Sequence, residues 1–142
     1  MSNSPVCVDA SLVVQLVVGG AQADKISNFW LTWLDGSRPL VAPTLLYYEV
    51  SNAIHRYLVH GYLLPQAADE ALIAALSLDI SLYEDQDLHH RSLKLARRFS
   101  LPATYDAHYL ALSERLGAEF WTVDRRLARI VSADLPWVHL VE

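Results

Sequence analysis

Two short β-favouring runs in this chain each end in an aspartate and pass straight into a helical pattern. Val6-Cys7-Val8 runs into Asp9, and Ala10-Ser11 leads on to an apolar stretch that reaches Val18 and stops at Gly19-Gly20. Near the other end, residues 119–123, with Phe120, Trp121 and Val123, run into Asp124, and Leu127, Ile130 and Val131 follow at helical spacing. A carboxylate between a strand and a helix falls at the carboxyl edge of a sheet, where open α/β sheets bind their ligands. Asp124 taken alone need be no more than a helix N-cap, a position that favours Asp.

Between these junctions the pattern keeps alternating. Helices are predicted over 22–34, over Leu45 to Val59 behind Pro43-Thr44, and over Pro65 to about Leu78. Two more are predicted over 86–98 and from Tyr105-Asp106 to Leu116, where Gly117 is the expected C-cap. Strands are predicted at Pro39 to Ala42, Ile80 to Tyr83 and Trp137 to Val141. Strands alternating with helices imply an α/β fold, a parallel sheet with helices on both faces. Right-handed crossovers then put every strand C-terminus on one edge, so Asp9 and Asp124 share it. They are close if the first and fourth strands are neighbours.

The 142 residues are 53% hydrophobic, enough for one domain with a real core, expected to span 1–142. The run Leu12 to Val18 is too short to span a bilayer, and Asp9 rather than a basic segment precedes it, so neither membrane nor export signal is expected. Cys7 is the only cysteine; it excludes an internal disulfide and a cysteine-based zinc site, and a reducing cytoplasm fits. Its apolar neighbours mark it as a small buried hydrophobe. The formal net charge of −5 argues against a basic nucleic-acid-binding face. Two divalent cations held by four of the acids would offset most of it, however. Nine of the eleven basic residues are Arg, whose planar fork suits phosphate.

Four acids stand out. Asp9 and Asp124 follow strands, Asp106 opens a helix after Leu101-Pro102-Ala103-Thr104, and Glu49 lies on or beside the apolar face formed by Leu46, Val50, Ala53, Ile54 and Tyr57. Glu49 is either a boundary residue reaching solvent or a carboxylate that needs a partner. Like charges gathered at one edge repel unless cations lie between them. Mg²⁺ and Mn²⁺ take hard oxygen ligands, and one or two such ions would suit metal-assisted phosphodiester hydrolysis. Thr122 and Ser11 are placed to add a hydroxyl, although such side chains more often bond the local backbone. Arg125, Arg126 and Arg129 are either RNA-phosphate contacts or a solvated face.

Four segments together carry a family resemblance: Val8-Asp9-Ala10-Ser11, Tyr48-Glu49-Val50-Ser51-Asn52-Ala53, Tyr105-Asp106-Ala107-His108-Tyr109-Leu110-Ala111-Leu112 and Thr122-Val123-Asp124-Arg125-Arg126-Leu127. The chain resembles the PIN-domain ribonucleases, and among them the VapC-like toxins of VapBC systems. The resemblance implies a three-layer α/β/α fold and a catalytic, metal-binding quartet of Asp9, Glu49, Asp106 and Asp124 for Mg²⁺ or Mn²⁺, with Thr122 in support. It also implies cleavage of single-stranded RNA, a homodimer, and a small antitoxin that plugs the site.

Two other classes compete. A non-catalytic PIN-like RNA- or protein-binding module would be expected to lack one or more of the acids, and none is lost. A phosphatase of the haloacid-dehalogenase type wants a second Asp two residues after Asp9, where Ser11 stands. A receiver domain wants a Lys late in the chain, and only Lys25 and Lys94 exist. His108, about 200° round the helix from Asp106, reads as structural or surface. His89-His90 reads as a solvated face, and Phe29, Trp30 and Trp33 read as core.

Overall fold

The computed structural model describes residues 3–142. In chain order the elements are β1 (Val6–Val8), α1 (Ala10–Val18), α2 (Ala23–Asp35), β2 (Leu40–Pro43), α3 (Leu45–Val59), α4 (Pro65–Leu76) and β3 (Ser81–Tyr83). They continue with α5 (Gln86–Arg98), α6 (Tyr105–Leu116), β4 (Glu119–Thr122), α7 (Arg125–Val131) and β5 (Val138–Leu140). The five strands form one sheet in the order β3-β2-β1-β4-β5, every pair parallel. β1 and β4 are neighbours, Val6 against Glu119 and Val8 against Trp121. This is the adjacency that brings Asp9 and Asp124 to one place.

The sheet fills from the middle. β1 is apolar at every position and buried on both faces, as a central parallel strand must be. β3, at one edge, is mostly exposed. The chain moves from β1 outward through β2 to β3, then returns to lay β4 on the other side of β1 and continues to β5. Right-handed crossovers therefore put α1–α4 on one face and α5–α7 on the other. α1 packs on α2, α3 and α4, while α6 packs on β1, β2, β4 and α5. Tyr109, Phe120, Leu12, Ile26 and Leu46 are among the largest fully buried side chains.

Several boundaries move by a residue or two. Pro43, expected to open α3, instead ends β2, opposite Tyr83. Its missing N–H costs nothing at a strand end. Thr44 stands before α3 but sends its hydroxyl to Glu84, 3.1 Å away, so it does not cap the helix. α4 stops at Leu76, and β5 is shorter than expected. Trp30 and Trp33 are buried as expected, whereas Phe29 is 37% exposed and lies on Trp121, ring centroids 4.6 Å apart. No described helix is long and apolar enough to cross a membrane.

Candidate active site

The order β3-β2-β1-β4-β5 reverses direction between β1 and β4, and the crevice beyond their carboxyl ends is where such sheets take ligands. Asp9 leaves β1 there. It is the N-cap of α1: its extended backbone leaves Oδ1 facing the first turn, where it accepts the Leu12 N–H at 3.0 Å. The Ser11 hydroxyl donates to the same oxygen at 2.7 Å, and the Thr122 hydroxyl donates to Oδ2 at 2.5 Å. Asp9 is only 4% exposed. Burial, opposed by these three donors and reinforced by Asp106, pushes its carboxyl up to about 7.

Asp124 leaves β4 in the same manner and caps α7, its Oδ1 accepting the Leu127 N–H at 3.1 Å. Its own N–H donates to Thr122 Oγ1 at 3.0 Å. Thr122 is fully buried and ties the two junctions together. The expectation of a local backbone bond holds for Thr122, which accepts the Asp124 N–H, but both hydroxyls also serve a carboxylate. Each donates to Asp9, and Thr122 reaches it across 113 residues of sequence. Adjacent parallel strands end in register there, which brings Thr122 beside Asp9.

Asp106, in the first turn of α6, is half-buried. Burial and the neighbouring Asp124 raise its pKa, against the pull of Arg126. Glu49, one turn into α3, is raised by burial and by Asp106, while the hydroxyl of Tyr109 donates to its Oε1 at 2.7 Å and counteracts this. Asp106 is therefore the common electrostatic neighbour: its charge is felt at Asp9 and Glu49, and it feels Asp124. The four acids predicted from sequence meet in one field. A cleft of about 330 Å³ opens beside them, lined among others by Ser11, Gln15, Glu49, Asn52 and Val123.

The arginines divide. Arg126 acts on Asp106, whereas Arg125 reaches Glu142 at 3.6 Å, both side chains largely exposed. Arg129 is exposed and lines a separate cavity with Arg125. His108 is bonded through Nδ1 to the Thr104 carbonyl at 2.7 Å and through Nε2 to His89 Nδ1 at 2.9 Å, a structural role as expected. His89 is exposed but not simply solvated. Tyr109 is the contributor that sequence reasoning missed. Its one signal was its place three residues after Asp106, on the same side of α6.

The donor set fits a hard divalent cation: carboxylate oxygens only, one of them buried away from any base. Among the described residues no three acidic, histidine or cysteine side chains already form a cation cage.

A doubly wound parallel sheet with acids gathered at its switch point defines a recognisable class, and comparison with known proteins gives it a family. The PIN domain matches residues 6–132, and the chain belongs to the PIN-domain family. No curated protein matches it in sequence. Among solved structures, a toxin–antitoxin complex from Klebsiella pneumoniae is similar at 18% identity and a TM-score of 0.68, covering 96% of this chain and 98% of that one. PAE2754 from Pyrobaculum aerophilum is 29% identical with a TM-score of 0.67, covering 90% of this chain and 80% of that one. VapC20 from Mycobacterium tuberculosis, described as a sarcin-ricin-loop-cleaving toxin, is 18% identical with a TM-score of 0.66, covering 91% and 95%.

Proposed function

We propose that this PIN-domain protein is a divalent-metal-dependent endoribonuclease and the toxin of a toxin–antitoxin pair. The observation that carries the reading is the meeting of Asp9, Glu49, Asp106 and Asp124 in one field, with Asp106 felt by or feeling each of the others. Asp9, Asp106 and Asp124 would hold Mg²⁺ or Mn²⁺, one ion or two, and Glu49 would do so directly or through water. The bound ion would supply an acidified water and offset charge on the phosphate. Ser11 and Thr122 fix the Asp9 carboxylate, and Thr122 steadies the Asp124 backbone. Arg126, beside Asp106, is the arginine best placed to meet an RNA phosphate, with Arg125 before it and Arg129 after it on the same helix.

The folds of the Klebsiella toxin–antitoxin complex and of VapC20 support the toxin reading. An antitoxin and a second copy of the chain both need apolar surface. Tyr48, Val59, Tyr62, Leu64, Ile73 and Leu76 of α3, α4 and the turn between them are well exposed. The single thiol, buried and unpaired with another, suits a reducing cytoplasm. The test is cleavage of single-stranded and structured RNAs by the purified chain with Mg²⁺ or Mn²⁺, with EDTA, and with Asp9→Asn. Cutting that disappears in both controls is expected. Cutting that persists in EDTA, or at full rate in Asp9→Asn, would remove the metal-site assignment.

A further inference from the structure

Tyr109 is 1% exposed, yet it carries a hydroxyl, and a buried hydroxyl must be hydrogen-bonded. It spends that bond on Glu49 Oε1 at 2.7 Å, joining α6 to α3 across 60 residues. The residue is itself held at the other end. Its carbonyl accepts the Ser113 hydroxyl at 2.8 Å and the Cys7 thiol at 3.8 Å, which fastens α6 to β1 two residues before Asp9. The ring packs beside Phe120 of β4, centroids 6.2 Å apart. Tyr109 thus has its backbone tied to the strand that bears Asp9, its ring against the strand that leads to Asp124, and its hydroxyl on Glu49. Asp106 lies one turn before it on the same helix.

Among the described residues Tyr109 is the side chain that donates to Glu49, and Asp106 is the charge that acts on it. A glutamate on a helix surface samples many rotamers; a rigid phenol bonded to Oε1 selects one, and the residue so held lines the cleft. We infer that Tyr109 is a positioning residue, which orients Glu49 so that the quartet closes on a divalent cation. The inference rests on the nuclease reading and sharpens it. Partners that orient metal-binding carboxylates commonly govern affinity by about 10–100-fold, although they never touch the ion.

Tyr109→Phe removes one oxygen and keeps the ring in its place. The expected result is Mg²⁺ and Mn²⁺ binding, measured by calorimetry on the purified chain, weakened by about 10-fold or more. kcat for RNA should fall at fixed metal while KM for RNA holds, and more metal should restore part of the rate. The melting temperature without metal should stay close to wild type, since Glu49 is only half-buried and water can replace the lost donor. In a Glu49→Gln background the same change should add nothing to the loss of metal affinity, because the two residues act as one unit. Unchanged metal affinity in Tyr109→Phe, or an equal further loss in the Glu49→Gln background, would overturn the positioning role while leaving a metal-dependent wild type standing. A wild-type chain that neither binds divalent ions nor cuts RNA would overturn both.

Discussion

Asp9 and Asp124 cap their helices through the same bond, Oδ1 to the N–H three residues on, at 3.0 and 3.1 Å. Their surroundings differ. Asp9 follows the central strand, lies almost wholly buried and takes two further side-chain donors; Asp124 follows β4, is half-exposed, and among the described residues its carboxylate takes the cap bond alone. Capping and ligand binding are therefore not rival explanations of either residue. The cap fixes where the carboxylate stands, and burial decides what its charge costs there. The strand order, not the local sequence, makes the two junctions unequal.

The largest expected effect is on catalysis, where the two junctions should behave alike. On the proposed nuclease reading, Asp9→Asn, Asp106→Asn and Asp124→Asn should each lower metal-dependent RNA cleavage by more than about 100-fold, since each removes charge that the site would present to cation and phosphate. Initial rates at saturating Mg²⁺ would check this; a mild loss at Asp124 alone would restrict the metal site to the buried half.

The next effect belongs to the buried junction. Burial favours the neutral form of Asp9, with a folded pKa of about 7 against an ordinary value of 3.8. Its contribution to stability is complete below about pH 3.8 and is lost as the pH rises towards 7, because the unfolded chain ionises first. The difference amounts to about 4 kcal/mol. Urea midpoints in EDTA should therefore rise for Asp9→Asn relative to wild type between pH 4 and pH 8. A flat difference across that range would mean that Asp9 is not desolvated as described.

Thr122 joins the two halves, and Thr122→Val should disturb both. It strips a donor from Asp9 and leaves the Asp124 N–H without its acceptor, at a cost of about 1–3 kcal/mol by chemical unfolding. Metal affinity should drop with it. The smallest effect belongs to the exposed cap. Asp124→Ser keeps a capping oxygen and should change stability by no more than about 0.5 kcal/mol, whereas Asp124→Ala should cost about 1 kcal/mol. Equal stabilities of the Ser and Ala variants would remove the cap from the account of α7.

The elements with strong local signals were legible in the sequence. α3, α5 and α6 run over the residues that apolar spacing and Gly117 indicate, and β1 ends at Asp9 as its apolar run does. The four acids were legible too, each through its relation to an element end or a helix face. What escaped was pairing across the chain. Thr122 reads as a backbone-bonding residue, which it is, but its second bond, to Asp9, emerges only when β1 and β4 are laid side by side. Tyr109 sits between Ala107 and Leu110 on a helix buried for most of its length, where a tyrosine reads as filler. Its value depends on a glutamate 60 residues away. His89 and His108 likewise find each other only when α5 folds against α6.

Cys7 lies in the middle strand, wholly inaccessible, its thiol pushed up to about 12 chiefly by burial. An alkylating reagent reaches the thiolate only when the sheet opens around it. The chain thus carries its own clock for breathing: at fixed pH and reagent, the labelling rate reports how often β1 is uncovered. Asp9 is two residues away. Any ion that Asp9 holds in the closed form would slow the clock, so labelling with and without Mg²⁺ would read occupancy of the site with no RNA in the tube.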